Sequence, residues 1–422
     1  MFNTIEVAKD VHIHTRVTDQ FKTVNFSLKF RRPLEVEEAA ERTVLTNVLQ
    51  HSNAKFPSTA SMRMHLDDLY GTVLYLDTSK KGNEHVVILN VETVNDQYLK
   101  QGDVLGKVLD LMHTVLFEPN LEGGTFKENI VSREKEMVKE RIQSIFDDKS
   151  RYAQNRLTKI LAPNHPASIS ANGTIPAIEA ITPQSLTDTY HRMLTEDAID
   201  IYVVGDIDED KMVEDLKKAL PFGKRETTFK LKDLPKIEPT DDYVKEKQDM
   251  RQGKLHIGYS IPVFFKDADF PKMQIFNGIF GGYPHSKLFM NVREKESMAY
   301  YCSSSYSAQY GLVYVTSGID AINEQKVIQL IDDQLASMQN GEITDLELTQ
   351  TKAMLQNQLK EALDSARGQI EIYDQYKDLD EDFNVEDWQK KWQAVTKEDV
   401  VAMAKQMHKE TVYFLSGMED EK

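Results

Sequence analysis

Eleven histidines and one cysteine are the side chains of this 422-residue sequence most able to hold a metal or attack a substrate. Their placement argues against most such chemistry. His12 and His14 sit two apart on a stretch that alternates like a strand, and eight others, from His65 to His408, stand alone with no ligand-spaced neighbour. Isolated histidines of this kind are ordinarily surface or hydrogen-bonded core residues. Cys302 lies in the alternating stretch Ala299–Tyr–Tyr–Cys–Ser–Ser, where a small buried thiol is expected rather than a nucleophile. One cysteine also rules out an internal disulfide and a cysteine metal cluster, and suits a reducing compartment. That leaves His51, which ends the segment Thr46-Asn47-Val48-Leu49-Gln50-His51.

The elements that carry these residues form two similar halves. Ile181–Gly205 and Val395–Gly417 each open with a capping threonine, Thr182 and Thr396, and continue as an amphipathic helix. Leu186, Tyr190 and Met193 line one of these helices, and Val400, Ala404 and Met407 the other; each then runs into a Gly-terminated strand, Tyr202–Gly205 and Tyr413–Gly417. A second pair of helices, Val131–Asp147 and Leu348–Asp364, matches Met137 with Met354 and Ile142 with Leu359. A third pair, the strands Val24–Phe30 and Lys254–Ser260, opens the halves before Pro33 and Pro262. Three matches in the same order indicate duplication. The expected organisation is a domain over 1–220, a charged, proline-bearing linker over 221–250 and a domain over 251–422. Strands that do not alternate with helices as βαβ units predict an α+β fold, each domain a largely antiparallel sheet with helices packed on one face. Expected core positions are Val44, Leu45, Val48, Leu49, Met137, Ile142, Leu186, Met354 and Leu359.

Composition narrows the function. With 68 acidic and 51 basic residues the net charge is −17, which argues against nucleic acid as a partner, since that interaction needs lysine and arginine to displace counterions. The start of the chain lacks a basic and apolar leader, and no run approaches the roughly 18 apolar residues of a membrane span, so a cytoplasmic protein without a membrane partner is expected.

Phe280–Tyr301, FGGYPHSKLFMNVREKESMAYY, is a Gly-rich turn, a helix, Arg-Glu-Lys and, seven residues after Arg293, Tyr300. The first half carries helix, loop, second helix and the Gly-led strand Gly71–Asp77, then Arg133-Glu-Lys. In these motifs, and in the duplication, the chain resembles the insulinase and mitochondrial-processing-peptidase (pitrilysin-like) zinc metallopeptidases along essentially its whole length.

The resemblance implies a zinc site built on His-x-x-Glu-His in the first helix, two imidazoles one turn apart and a glutamate acting as base on the zinc-bound water. Here that pattern is broken: Asn47 stands at the first histidine, Gln50 at the base, and only His51 remains. On the distant helix Arg141 falls at the third ligand position (Glu140 is adjacent), while Glu134 keeps the supporting acid. An amide is a poor zinc ligand, glutamine is no base at neutral pH, and arginine brings a fixed positive charge. No catalytic zinc is therefore expected, and a buried Arg141 would be satisfied by Asn47, Gln50 or Glu134. Arg293 and Tyr300 match the family pair that binds substrate carbonyls near the metal. The resemblance then implies the zinc-free subunit of a heteromeric endopeptidase, with zinc only in a homologous partner (or a homodimer when purified alone). Its substrate is an unfolded peptide added as a strand to a sheet edge, for which Gly71–Asp77 is the candidate, a stretch equally compatible with an ordinary buried strand. A structural or peptide-binding scaffold with no role in proteolysis is the alternative, and a peptidase with displaced ligands is the least favoured.

Overall fold

The computed structural model describes residues 2–100, 102–223, 225–227, 229–377, 379 and 384–417. Thirteen strands are present among them: β1 (Asn3–Ala8), β2 (Val11–Val17), β3 (Thr23–Pro33), β4 (Val73–Lys81), β5 (Glu84–Val94), the small hairpin β6 (Leu121–Glu122) and β7 (Thr125–Phe126), β8 (Ala198–Gly205), β9 (Tyr243–Gln248), β10 (Gly253–Ser260), β11 (Ala299–Ser307), β12 (Leu312–Ile319) and β13 (His408–Gly417). They build a six-stranded sheet in the order β1-β2-β8-β3-β5-β4 and a five-stranded one in the order β11-β12-β10-β13-β9. Reading the second backwards, β9-β13-β10-β12-β11, it repeats β2-β8-β3-β5-β4 strand for strand. Each sheet also holds one parallel pair, β2 with β8 and β9 with β13, in corresponding places. The fold is α+β, largely antiparallel, and the duplication is visible in its topology.

The chain divides into two compact units that are not the continuous stretches 1–220 and 251–422. The first comprises Met1–Ser144, Ile169–Asp233 and Asp364–Asp374; the second comprises Ile145–Ser168, Leu234–Leu363 and Gln375–Lys422. Each unit thus contains one helical segment from the other half. Nor is 221–250 linker throughout, because Tyr243–Gln248 is strand β9 at the sheet's edge, half-exposed at every second residue. Its YVKEKQ sequence is charged because an edge strand gains from lysine and glutamate that discourage further pairing.

The repeated helix caps form as the sequence requires. The Thr182 hydroxyl accepts the Ser185 N–H and the Thr396 hydroxyl the Asp399 N–H, both in reciprocal capping boxes. The apolar side of β3 (Val24, Phe26, Leu28, Phe30) and of β8 (Ile199, Ile201, Val203) meets the helix Val36–His51 and its neighbours in the main core. Alternation places Asn25, Ser27, Lys29 and Arg31 on the opposite face, and they are buried too. The segment from the second half covers that face, with Ala366 and Ile370 packed on Tyr202 and Val204. Lys29 Nζ lies 2.8 Å from Glu371 and 3.2 Å from Asp374; Arg31 bonds Asp374 and, at 2.9 Å, Asp200; His14 reaches Asp200 at 2.8 Å. In the second unit the helix Lys149–Leu161 plays the corresponding part, packing Ala153 and Leu157 on Tyr413 and Leu415. Helices therefore lie on both faces of each sheet, not on one.

Val44, Leu45, Val48, Leu49, Leu186 and Leu359 are buried, and Ile142 is packed against the first core. Met137 is 44% exposed: the helix Glu128–Asp147 buries the face of Ile130, Val131, Glu134 and Val138, and Met137 sits beside that face. Met354 is half-buried. Cys302 is buried and unoxidised, and burial pushes its thiol up to about 12, which makes it inert. Among the described residues no helix is long and apolar enough to cross a membrane.

His256, inside β10, is held neutral by burial, its pKa lowered to about 3. Its Nδ1 is 3.3 Å from Gln154 Oε1, and Nε2 has no partner. The unfolded chain takes up this proton below the ordinary histidine pKa of about 6.5, while the folded chain does not until near 3, so stability falls as pH drops through that window. The loss should reach about 2 kcal/mol at pH 5 relative to pH 7. Urea melts of the parent and of His256→Leu at the two pH values check this; an equal acid loss in the variant would refute it.

Candidate functional site

The helix Val36–His51 positions the first group of residues. It starts after Pro33, carries Glu37 and Glu38 in its first turn and His51 in its last, and so suits its own dipole at both ends. From Ala39 to Leu49 nearly every residue is buried, which fixes the rotation of the helix tightly. Asn47 and His51, four apart, share a face. That face meets the helix Glu128–Asp147. Arg141 Nη2 donates to Asn47 Oδ1 at 3.3 Å, and His51 Nδ1 lies 3.0 Å from Glu134 Oε2. Arg133 donates to the other carboxylate oxygen of Glu134, at 2.8 Å from Nε and 2.6 Å from its terminal nitrogen.

The expected positions are thus brought together, but as partners of one another. Arg141 chooses Asn47 from the three partners open to it, and its side chain is exposed rather than buried. Glu140, the neighbouring candidate, is exposed as well. Glu134 is fully buried; burial alone would raise its carboxyl, but the hydrogen bonds from His51 and Arg133 outweigh it and hold the group below the usual carboxylate range. Gln50 faces elsewhere, its Oε1 accepting the Leu76 N–H of β4 at 2.8 Å. Zinc does not fit this donor set. One imidazole is committed to a buried carboxylate, the amide is held by a guanidinium, and no base faces them. Among the described residues no group of three or more His, Cys, Asp or Glu side chains is placed to hold a metal.

In the second unit the helix Phe270–Asn277 continues into wide π-helical turns, Gly278–Gly282 and Leu288–Lys295, of a kind often found at functional sites. Gly281 is required there, since a Cβ would lie 2.6 Å from the Ser304 nitrogen of β11. Arg293 sits in the second turn with its guanidinium 4.5 Å from the Phe289 ring centroid and 3.5 Å from Glu294. Tyr300 is the extra residue of a β-bulge: Ala299 pairs with Ile319 and Tyr301 with Gly318, leaving Tyr300 between them. Bulges re-aim a side chain, and Tyr300 is 59% exposed with its hydroxyl donating to Asp320 Oδ1 at 3.1 Å, which raises the phenol pKa. The ring therefore projects from the sheet rather than packing in it, and both donors of the pair reach solvent.

Three features were not legible in the sequence: the Gln50 contact to β4, the Arg133 grip on Glu134, and Asp320 beside Tyr300. All join residues distant in sequence or lying on different faces. Arg133 and Glu134 are adjacent in the chain, but adjacency alone does not say that the two pair.

The description "Peptidase M16 inactive domain" matches residues 180–355. A Bacillus subtilis (strain 168) protein named "Probable inactive metalloprotease YmfF" is 38% identical over 411 residues, 96% of each chain. The same organism's "Uncharacterized zinc protease YmxG" is 27% identical over 316 residues, 72% of each. A crystal structure of a conserved protein from Enterococcus faecalis V583 superposes with a TM-score of 0.91 at 34% identity, covering 100% of both chains. That of a peptidase M16 inactive domain from Pseudomonas fluorescens gives 0.78 at 17% identity, covering 99% and 98%, a likeness of fold.

Proposed function

The chain belongs to the M16 peptidase family, as a member without the zinc-binding residues, and on that premise we propose that it is the non-catalytic, peptide-positioning subunit of a heteromeric zinc endopeptidase. The observation that carries this reading is the paired state of the old metal positions: Asn47 with Arg141 and His51 with Glu134. A face paired in this way is satisfied without a metal, which supports the reading. Zinc and the base then come from a homologous subunit with an intact motif, and the substrate is an unfolded peptide. Arg293 and Tyr300 supply donors to peptide carbonyls; Tyr300 is exposed and Arg293 half-buried, and the bulge and the wide turn hold them where an ordinary strand or helix would not.

The test is reconstitution. Mixed with a homologous M16 subunit carrying His-x-x-Glu-His, the chain should raise chelator-sensitive cleavage of an unstructured fluorogenic peptide well above that of either alone. Arg293→Ala and Tyr300→Phe should each reduce the gain about tenfold or more, with complex formation unchanged by gel filtration. A complex that forms and cleaves no faster than the zinc-bearing subunit alone would favour the scaffold reading instead.

A further inference from the structure

Gln50 stands where the family's general base would be, yet it is neither idle nor turned toward the former metal face. Strand β4 is the last of its sheet and is paired on one side only, by β5. The next strand to arrive would bond to the amides on its open side. Leu76 N–H is already accepted by Gln50 Oε1, at 2.8 Å. Two residues on, with the same orientation in a strand, Thr78 N–H is accepted at 2.8 Å by the Asp77 carboxylate. Two further on, the Lys80 ammonium is drawn to the Ile169 carbonyl at 2.7 Å, and burial lowers its pKa to about 8. Leu76 itself is buried, and Gln50, half-buried at the end of its helix, reaches it in a part-buried contact.

From this arrangement we infer that Gln50 is a stopper: with Asp77 it occupies the open side of β4 and closes this edge of the first unit to an added strand. The chemistry of the replacement suits the task. A glutamate acting on metal-bound water keeps its carboxylate for that water, whereas an uncharged amide beside no metal is available to a backbone N–H at no electrostatic cost. The edge that Gly71–Asp77 suggested as a peptide-binding strand exists, but an extended peptide reaches it only by displacing Gln50. Resting on the peptide-positioning reading for its meaning, the inference assigns substrate contact in this chain to the Arg293 and Tyr300 region and excludes β4.

Hydrogen exchange on the full-length chain tests the stopper directly and does not depend on any partner. Gln50→Leu, and Gln50→Ser as a shorter polar alternative, should speed exchange of the Leu76 amide about tenfold, whereas Gln50→Glu, which keeps an acceptor, should not. A fluorescein-labelled alternating Thr/Val peptide of about eight residues, long enough for one strand, should bind Gln50→Ser/Asp77→Ala about tenfold more tightly than the parent, and should then protect Leu76 and Thr78. Unchanged exchange in both Gln50→Leu and Gln50→Ser overturns the inference, as does equal peptide binding by parent and double variant. Failure of the reconstitution assay would leave the exchange result standing, so the two readings fail separately.

Discussion

Asp374→Ala should lower the stability of the first unit by about 3–5 kcal/mol, the usual cost of removing one partner from a buried ionic cluster. Asp374 lies on the segment that comes from the second half of the chain, and it bonds Arg31, Lys29 and Tyr202. Lys29 and Arg31 are buried on the polar face of β3, with Asp200 and Glu371 as their other carboxylates. Taking away Asp374 leaves two cations under-compensated where water cannot replace it. The sequence supplies a clean readout. Both tryptophans, Trp388 and Trp392, belong to the second unit, whereas circular dichroism follows both units. In urea the dichroism transition of the variant should therefore begin well ahead of the fluorescence transition. An isosteric Asp374→Asn should recover part of the loss through its remaining hydrogen bonds. Two curves displaced together by less than about 1 kcal/mol would show that the cluster is not the fastening described.

The second large effect is a gain. Asn47→His, Gln50→Glu and Arg141→Glu made together should take bound zinc from under about a tenth of an equivalent to near one, by elemental analysis after loading and desalting. The helix Val36–His51 already places positions 47 and 51 one turn apart, and Arg141 already reaches across to Asn47 at 3.3 Å. The backbone of a site is thus present and the donors are wrong. No single substitution should suffice: with Arg141 in place its charge opposes the cation, and with Asn47 in place there is one imidazole. A folded triple variant that holds no zinc would mean that the two helices have moved apart or that His51 cannot release Glu134.

Much of the fold was legible because it is written locally. The caps at Thr182 and Thr396, the periodic apolar helices after them and the Gly-terminated strands repeat in order, and the structure repeats with them. What the sequence hid is which sheet a helix lies on. Nothing in the sequence of Asp364–Asp374 or of the helix Lys149–Leu161 says that each packs in the unit of the other half. For the same reason the polar side of β3 reads as a solvent face, when Asp374 and Glu371 bury it. Strand β9 was hidden by charge, and Met137 was misplaced because a matched repeat position need not keep its exposure. At the proposed site, the reading of Asn47 and Gln50 as a replaced ligand and base came from residue types alone. The new partners were only partly so: Asn47 for Arg141 was among the possibilities, but Gln50 for a backbone amide was not, since such a contact depends on how close a helix end comes to a strand.

The exchanged segments also set a schedule for synthesis. The first unit's long stretches are complete once residue 233 has emerged, but its last piece ends at residue 374, 141 residues later (374 − 233). At translation rates of about 5–20 residues per second the ribosome needs roughly 7–28 s to deliver it. Through that interval Lys29 and Arg31 have neither Asp374 nor Glu371 to face. Their charge keeps this open face wetted and unattractive to other chains until its cover arrives.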